Sequence, residues 1–491
     1  MKRNFAEINQ ICQSYLRPDD LSKIQAAFKM AEKAHQNQFR KSKESYIQHP
    51  LHIAYYLAKM HLDAPTIETA LLHDTLEDTH LTLADIKQEF GADVAKLVDG
   101  VSKAGRVQLK GRAYLAAKDE AEIQQRQIEN LKKMFLVMSS DLRVVLIRLF
   151  DRLHNIQTLW ALPPAKQDRI AKETLDLYAP LANRLGMGEL KGQLEDLAFP
   201  YVYPKKYQQV KSRLGEKFSE RQKYIEKIKK FIKQLLAEEQ IKAEVHGRAK
   251  HLYSLYKKLV KYDWDFSKIY DLVALRIMVD DTSTCYKVLG LIHQNFKPLI
   301  GRIKDYISMP KPNGYQSLHT TVFCLKGKIT EFQIRTFKMH DQAENGIAAH
   351  WHYDVEKLSK VAPQERLPWI TDLVNLSRSS DPQDFYQALK IDIFSDRIYV
   401  LTPKGEVVNL PDGSTPIDFA YAIHSDVGNA CRGARVDGRI VNLSYQLKNG
   451  EIVEIIKSKK PSGPKNDWLA WAKTERARNR IRSWLREKET N

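Results

Sequence analysis

Two histidines and two aspartates in helical contexts early in the chain have the residue types and the order of a metal site. His73 and Asp74 are adjacent in TALLHDTLEDT, where the apolar residues would pack on the other face of a helix. His49 precedes a predicted helix in YIQHP, and Asp151 lies in the otherwise apolar RLFDRLHN. Imidazole and carboxylate ligands together suit a transition ion such as Mn²⁺ better than Ca²⁺. The order His, His-Asp, Asp therefore predicts that these four side chains hold one ion.

Two further acids, Glu77 and Asp78, lie one helical turn beyond His73 and Asp74 and reach the same side of the helix. Such crowding of negative charge is costly without a cation. A bound ion would activate a water molecule and neutralise a phosphate oxygen, while Glu77 and Asp78 could orient or deprotonate that water. Each residue alone would more often be a hydrogen-bonded structural group, but the complete order favours metal-dependent phosphate hydrolysis. The Lys and Arg side chains around Arg40 could bind an anionic substrate, or they could be solvated surface charges.

A second group of residues, in the middle of the chain, would suit phosphoryl transfer assisted by Mg²⁺. The predicted strand DLVALRIMVD begins with Asp271, and in TEFQIRT the residues Glu331, Gln333 and Arg335 share one face of another strand. Two carboxylates could thus meet across a sheet and face cations, which is what this chemistry needs. A sheet face covered with salt bridges is the alternative.

Cations and aromatic residues surround these two strands. The long loop GRIKDYISMPKPNGYQSLHT mixes Lys304, Lys311, Asn313 and His319 with tyrosines, and long loops are usually functional or disordered. Tyr315 follows Asn-Gly and could stack on a guanine base, an interaction worth about 1 to 3 kcal/mol. The segment VHGRAKHLYSLYKKLV, which could bind a triphosphate or be only a basic helix, carries Arg248, Lys250, His251, Lys257 and Lys258.

The elements that must position these groups change along the chain. From about residue 20 to 200 the apolar residues recur at helical spacing, with a predicted helix stop at Phe199-Pro200. A Lys-rich helical stretch then leads into β-branched runs, so an α/β domain is expected over roughly 205–355. Residues 393–458 indicate a small β-rich domain.

Within this small domain the sequence predicts one hairpin and one helix. The hairpin turns at Pro403-Lys404-Gly405. The helix begins at Ser414, Thr415 and Pro416 and ends near Gly428.

Composition places the chain among multidomain globular proteins. A chain of 491 residues is too long for a single hydrophobic core. Its content of 43% apolar and 28% charged residues argues against extensive disorder. The net charge of +18 favours anionic partners such as nucleotides, RNA or a ribosomal surface, although solvated helix faces carry much of it. No membrane span or secretory signal is evident, so a cytoplasmic location is expected. The four cysteines, far apart in sequence, are expected to be reduced.

These motifs resemble those of the long RelA/SpoT homologues, the enzymes of the guanosine alarmone (p)ppGpp. RKSKESYIQHP, LLHDTLEDT, LVDGVSK and DRLHNIQTL resemble the HD hydrolase half, while GRAKH, YDLVALR, PKPNGYQSLHT, EFQIRT and ENGIAAHW resemble the synthetase domain. TPIDFAYAIHSDVG resembles the regulatory TGS domain. The resemblance implies an all-helical HD hydrolase domain (1–200), an α/β nucleotidyltransferase-like synthetase domain (201–385) and a small β-grasp-like TGS domain (393–458). Residues 459–491 resemble the start of the next helical region, where the chain is expected to be truncated before the family's zinc-finger and ACT domains.

For the hydrolase half, the resemblance implies removal of the 3′-diphosphate to give GDP or GTP and pyrophosphate. His49, His73, Asp74 and Asp151 would bind Mn²⁺, and Glu77 and Asp78 would assist the nucleophile. The residues expected to contact the nucleotide are Arg40, Asn155 and Thr158.

For the synthetase half, the resemblance implies that Asp271 and Glu331 bind Mg²⁺ and that Glu331 deprotonates the 3′-hydroxyl of GDP or GTP. This hydroxyl attacks the β-phosphorus of ATP and AMP leaves. The residues expected to hold ATP are Arg248, Lys250, His251, Ser254 and Lys258. Those expected to hold the guanine nucleotide are Lys311, Asn313, Tyr315 and His319, with Lys304, Gln333 and Arg335 as further candidate substrate contacts. The sequence Arg302-Ile303-Lys304-Asp305 resembles the basic form of this loop in bifunctional members.

Three functional hypotheses remain open from the sequence. The first is a bifunctional enzyme that makes and hydrolyses (p)ppGpp, and the second is a one-activity enzyme whose other site senses a nucleotide. The third is a module that binds RNA or the ribosome, which leaves two acid clusters unexplained. By resemblance, His424 would contact the end of a deacylated tRNA, and ribosome binding is expected for a full-length protein.

Overall fold

The computed structural model describes residues 2–109, 141–215, 218–248, 250–265, 273–311, 313–349, 397–458 and 463–490, with further positions at 132, 136, 268–269, 385, 388–389, 391 and 394. The chain divides into two compact units, one from residues 1–102 and 143–360 and the other from residues 103–142 and 361–491. Each described helix is too short or too polar to cross a lipid bilayer.

Helices make up the regular structure described as far as residue 202, as the helical periodicity predicts. They are α1 (Phe5–Gln13), α2 (Pro18–Ala34), α3 (Gln48–Lys59), α4 (Ala64–Leu72), α5 (Thr75–Asp78), α6 (Leu83–Leu109), α7 (Leu142–Gln157), α8 (Pro164–Glu173), α9 (Ala179–Arg184) and α10 (Gly188–Val202). Local signals fix their starts: the Asp63 side chain accepts a hydrogen bond from the Thr66 amide before α4, and Pro164 opens α8.

The predicted helix stop at Phe199-Pro200 is wrong, because α10 continues through this pair to Val202. Leu194, Ala198 and Phe199 are fully buried on the packed face of the helix. This burial offsets the hydrogen bond that a proline removes in the last turn.

The α/β part of the first unit has a mixed sheet covered by helices on one face. Its elements are α11 (Pro204–Gly215), α12 (Phe218–Glu238), β1 (Glu244–Arg248), α13 (Leu252–Lys261), β2 (Ala274–Val279), α14 (Thr282–Asn295), β3 (Lys297–Pro298), β4 (Lys304–Asp305), β5 (Leu318–Phe323), β6 (Ile329–Thr336) and α15 (Phe337–Asn345). The strand order is β1-β2-β6-β5-β3, with β4 beside β5, and β2 runs parallel to β6.

Alternation along β2 and β6 separates a core face from a polar face. Leu275, Ile277, Phe332 and Ile334 pack in one cluster with apolar residues of α12 and α14. Glu331, Gln333 and Arg335 lie on the other face of β6, which confirms the predicted arrangement of TEFQIRT. The described strand β2 begins at Ala274, so the predicted position of Asp271 in this strand lies outside the described residues.

Residues 397–490 of the second unit contain two small sheets and four short or amphipathic helices among the positions described there. They are β7 (Arg397–Leu401), β8 (Val407–Pro411), α16 (Pro416–Ile423), α17 (Ser425–Asn429), β9 (Cys431–Val436), β10 (Arg439–Val441), β11 (Val453–Lys457), α18 (Trp468–Trp471) and α19 (Glu475–Thr490). The sheets are the β7-β8 hairpin and the order β10-β9-β11. The predicted hairpin is confirmed, with Gly405 in the left-handed region at φ 83°.

The predicted helix start at Pro416 is confirmed, but the prediction of a single helix to near Gly428 is wrong, because two helices, α16 and α17, occupy this stretch. The His424 backbone is extended at φ −161° and ψ 149°, which ends α16 at Ile423. The His424 side chain accepts a hydrogen bond from the Asp426 amide at 3.2 Å and so caps α17. The four cysteines are free and buried, as expected.

One buried carboxylate joins α16 to α19. Asp418, 1% exposed, accepts hydrogen bonds from the Thr415 amide at 2.8 Å and the Thr474 amide at 2.7 Å. The Lys473 amide also donates to it at 3.0 Å. Because a buried carboxylate needs several donors, this residue ties the two helix starts together.

Asp418→Ala should lower the free energy of unfolding of the second unit by about 3 kcal/mol, since it leaves buried amides unpaired. Hydrogen exchange at the Lys473 and Thr474 amides measures this loss. The exposed residue Asp412, in the turn after β8, supplies the control, and Asp412→Ala should change stability by less than about 0.5 kcal/mol. Unchanged exchange in Asp418→Ala would show that the carboxylate does not hold the two helices.

Candidate active sites

Three helices bring the predicted metal ligands of the first unit together. His49 lies in the first turn of α3, His73 at the end of α4 and Asp151 in the middle of α7, and one ligand atom from each lies within 4.8 Å of the others. His49 Nε2 is 3.4 Å from Asp74 Oδ2 and 3.3 Å from Asp151 Oδ1. All four predicted residues therefore converge.

The donor set fits a divalent cation. His73 Nδ1 donates to the Ala70 carbonyl at 2.9 Å, which leaves its Nε2 atom as a lone-pair donor. This Nε2 atom is buried and forms no hydrogen bond, although Asp74 Oδ1 lies 3.1 Å away. A cation would satisfy both the nitrogen and the carboxylate.

The electrostatics of this cluster also favour positive charge. Burial alone would lower the pKa of His73, but the carboxylates of Asp74 and Asp151 raise it to about 9. Burial would raise the pKa of Asp151, but Arg148, whose Nη1 is 2.5 Å from Asp151 Oδ2, holds it well below its usual range. The cluster therefore keeps its carboxylates ionised in a buried place.

The predicted nucleotide contacts Arg40 and Asn155 lie beside the metal ligands. Arg40 donates through Nη1 to His154 Nδ1 at 2.6 Å and through Nη2 to Asn155 Oδ1. Asn155 Nδ2 in turn donates to Asp151 Oδ1 at 2.5 Å. The Thr158 hydroxyl contacts the His154 carbonyl at 3.2 Å, so Thr158 is close to the site in sequence but bonded to its own helix.

The two acids predicted to act on water occupy the short helix α5. The Tyr46 hydroxyl contacts Asp74 Oδ2 at 3.0 Å and also the Asp78 carboxylate, which links Asp78 to the metal ligands. Asp78 is exposed and Glu77 is half-buried.

Three further side chains, Tyr46, Arg148 and His154, belong to this site and are not predicted from the sequence motifs. Arg148 and His154 each lie three residues from Asp151 on α7, and Tyr46 lies three residues before His49, so helical spacing around the ligands was the available signal. Burial, together with His49 and Arg40, lowers the pKa of His154 to about 2. The neutral ring therefore accepts the hydrogen bond of Arg40.

The second candidate site lies on the polar face of the sheet. Glu331 Oε1 is 3.0 Å from His319 Nδ1 and accepts a hydrogen bond from Gln333 Nε2 at 3.2 Å. His319 Nε2 is 2.8 Å from the Tyr315 hydroxyl. Glu331 pairs in register with Ala274, three residues beyond Asp271, so a meeting of the two carboxylates stays a prediction.

Aromatic rings and a lysine gather above Glu331. The Tyr306 ring lies 6.1 Å from that of Tyr315 and 5.3 Å from that of His319. Lys311 Nζ lies 4.7 Å from the Tyr306 centroid and 5.2 Å from the Tyr315 centroid. Flat rings beside a cation suit a nucleotide, which has a base and phosphates.

Other predicted substrate contacts are tied to the protein. Arg335 is 1% exposed and contacts His340 Nδ1 at 2.8 Å and Glu344 Oε1 at 3.2 Å. Lys304 is exposed in β4. His251 Nδ1 lies 2.8 Å from Asp196 Oδ2 of α10. The side chain of Arg248 lies outside the described residues.

Comparison with known proteins assigns the family. The HD domain model matches residues 27–188, the region found in RelA / SpoT proteins matches 247–357, and the TGS domain matches 398–457. Similarity to the bifunctional (p)ppGpp synthase/hydrolase SpoT of Escherichia coli K12 is 44% identity over 98% of this chain and 67% of the relative. The chain belongs to the RelA/SpoT family.

Other RelA/SpoT relatives are similar over nearly the same region. A GTP pyrophosphokinase of Myxococcus xanthus is 46% identical over 97% of this chain and 62% of its own length. A guanosine-3′,5′-bis(diphosphate) 3′-pyrophosphohydrolase of Aquifex aeolicus is 44% identical over 96% of this chain and 66% of its own length. The chain thus spans 62 to 67% of the length of these three relatives. The matched domains lie inside the predicted ranges, whose exact bounds stay predictions.

Asp151→Asn should weaken Mn²⁺ binding in the HD domain at least 10-fold, because it removes one anionic ligand from a buried set. Calorimetric titration with Mn²⁺ measures the affinity. Asp168→Asn, on an exposed ion pair of α8, supplies the control and should bind Mn²⁺ as the wild type does. Equal affinities in both variants would exclude Asp151 as a ligand.

The ion pair of His251 predicts a pH-dependent stability. The hydrogen bond with Asp196 and the nearby carboxylate of Glu189, 3.7 Å away, raise the pKa of His251 from 6.5 to about 9. The stabilisation, on the order of 2 kcal/mol, should be fully present below pH 6.5 and lost as the pH rises through about 9. The difference in unfolding free energy between wild type and His251→Gln should therefore shrink between pH 6.5 and 9.5. A difference independent of pH would contradict the protonated pair.

Proposed function

We propose that this chain makes and hydrolyses (p)ppGpp, using two separate sites. Two observations in separate domains support the proposal. The HD domain has a buried group of side chains that could bind a metal ion. In the RelA/SpoT region, Glu331 contacts His319, which contacts Tyr315. The curated relatives named above carry names for both activities.

In the hydrolase site, His49, His73, Asp74 and Asp151 would hold Mn²⁺. When bound by these residues, such an ion would supply Lewis-acid stabilisation of the phosphate and lower the pKa of a water molecule. Asp78, connected through Tyr46, or Glu77 would take one proton from the water that attacks the phosphorus of the 3′-diphosphate. The bond from this phosphorus to the 3′-oxygen breaks, pyrophosphate leaves, and the 3′-oxygen takes up a proton to become the hydroxyl of GDP or GTP.

Substrate binding in the hydrolase site falls to Arg40, Asn155 and Thr158. The contacts of Arg40 with His154 and Asn155 fix its guanidinium beside the metal ligands, where it can attract the anionic nucleotide.

In the synthetase site, Glu331 would take the proton of the 3′-hydroxyl of GDP or GTP. The oxygen then attacks the β-phosphorus of ATP, and AMP leaves with the electrons of the broken bond. Hydrogen bonds from His319 and Gln333 orient the Glu331 carboxylate for this role. Glu331 and Asp271 would hold the Mg²⁺ ion that neutralises the phosphates.

The two nucleotides would bind on either side of Glu331. Tyr315 supports the guanine base, with Lys311 beside it for the phosphates. ATP would meet the cations Arg248, Lys250 and Lys258 with Ser254 near the start of α13.

Partners beyond the nucleotides belong to the longer proteins of the family. His424 is 66% exposed, so its ring is accessible to the end of a deacylated tRNA on the ribosome. A cytoplasmic location is part of this proposal, because ATP, GDP and GTP are its substrates.

Asp74→Ala should abolish Mn²⁺-dependent breakdown of ppGpp, by at least about 1000-fold, and spare synthesis, whereas Glu331→Ala should do the reverse. Nucleotide products are identified after incubation with ATP and GDP, and separately with ppGpp and Mn²⁺. Glu226→Ala, on an exposed position of α12, should retain both activities.

Loss of both activities in either variant would count against independent sites. A wild-type protein with only one activity would instead support the alternative in which the other site senses a nucleotide.

A further inference from the structure

Helix α10 of the helical part holds helix α13 of the RelA/SpoT region through paired charges. Asp196 Oδ2 lies 2.8 Å from His251 Nδ1, and Asp196 Oδ1 accepts a hydrogen bond from the Tyr253 amide at 2.9 Å. Glu195 Oε1 lies 2.8 Å from Lys257 Nζ one turn further along α13. A carboxylate at the first turn of α13 also meets the positive end of that helix.

His251 fits closely against α10. A Cβ atom at Gly192 would lie 2.1 Å from His251 Nε2, so the absence of a side chain at Gly192 makes room for the ring. His251 Nε2 is also 3.7 Å from Glu189 Oε2. Both ring nitrogens therefore lie near carboxylates of α10.

The last turn of α9 and the connection from α9 to α10 also contact the loop of Tyr315. Asn313 Nδ2 donates to the Asn183 carbonyl at 3.0 Å, and Asn313 Oδ1 accepts from the Tyr315 amide at 3.3 Å. A Cβ atom at Gly186 would lie 2.9 Å from the Asn313 carbonyl oxygen. Both polar ends of the Asn313 side chain are therefore used to hold the loop.

The residues 183–196 thus contact both predicted nucleotide-binding elements of the synthetase site. The helix α13 carries Ser254 and Lys258, the proposed ATP contacts, and the Ser254 hydroxyl itself donates to Glu195 Oε2 of α10 at 3.4 Å. The loop of Asn313 carries Tyr315, the proposed guanine contact. Since these elements are loops and a short helix, their positions depend on what they pack against.

We propose that residues 183–196 are a positioning element for (p)ppGpp synthesis, in which Asp196 fixes the ATP-binding helix through His251 and the Asn183 carbonyl fixes the guanine platform through Asn313. This inference rests on the proposed synthetase activity. It makes His251 and Asn313 positioning residues that act through Lys258 and Tyr315, and not the direct nucleotide contacts expected from the family resemblance.

The contact between Asp196 and His251 and the contact between Asn183 and Asn313 should affect the KM of different substrates. Asp196→Asn removes the charge that holds His251, and Gly192→Ala displaces its ring, so both should raise KM for ATP about 10-fold and leave KM for GDP within twofold. Asn313→Asp keeps an acceptor for the Tyr315 amide and loses the donor to Asn183. It should raise KM for GDP about 10-fold and leave KM for ATP within twofold.

A double-mutant cycle distinguishes positioning from direct contact with ATP. If His251 acts only through Asp196, then Asp196→Ala combined with His251→Ala raises KM for ATP no more than either single variant does. If His251 instead contacts ATP, its effect multiplies with that of Asp196→Ala, and the inference is overturned. Glu226→Ala is the matched control.

Folding of each variant is checked by its thermal unfolding and by its rate of ppGpp hydrolysis in the separate HD site. If Asp196→Ala does not fold, the milder Asp196→Asn and Gly192→Ala variants decide, and an unchanged KM for ATP in both refutes the positioning role. Absence of synthesis in the wild type would instead refute the proposed function itself. Parallel increases of both KM values would indicate a general loss of structure and would also overturn the inference.

Discussion

Where α3, α4 and α7 meet, His49 Nε2 lies within 3.4 Å of carboxylate oxygens of both Asp74 and Asp151, in a place largely removed from water. Two ionised carboxylates as close as those of Asp74 and Asp151 repel each other unless positive charge lies beside them. Arg148 supplies part of it to Asp151, and the histidines supply ligand nitrogens. The carboxylates are not fully neutralised by these groups, so the site is suited to a divalent cation. The packing of the helices places the four side chains around it.

The sheet site uses a different solution to a similar problem. Glu331 is oriented by two partners on adjacent strands, His319 and Gln333, which β-register places side by side. A carboxylate held in this way stays available to take a proton or bind an ion. In the helical site the side chains are arranged around a place for a cation. In the sheet site the pairing of strands β5 and β6 sets their positions.

Much of this arrangement could be predicted from the sequence, because the metal ligands are carried by local motifs and the faces of TEFQIRT follow from strand alternation. The roles of Tyr46, Arg148 and His154 could not, since they arise only where separate helices meet. The break at His424 and the passage of α10 through Pro200 were missed for a related reason. At His424 a side-chain cap begins a second helix, and at Pro200 burial of the neighbouring side chains keeps the helix intact. Both effects outweigh the local helix propensities of the residues.

The same locality applies to His251, whose role as an ATP contact stays a prediction. A cation in a basic motif indicates anion binding, but the anion that meets it in the fold is Asp196, from a helix 55 residues earlier in the chain. Two contacts lie between the predicted metal ligand Asp151 and α9: Asp151 pairs with Arg148, and Arg152, the next residue of α7, lies 4.1 Å from the ring centroid of Tyr178, which directly precedes α9. Contiguity alone is not coupling. It does mean that a displacement of α9 and α10 on nucleotide binding would reach both sites through packed side chains, and thermodynamic linkage requires any such effect on binding to be reciprocal.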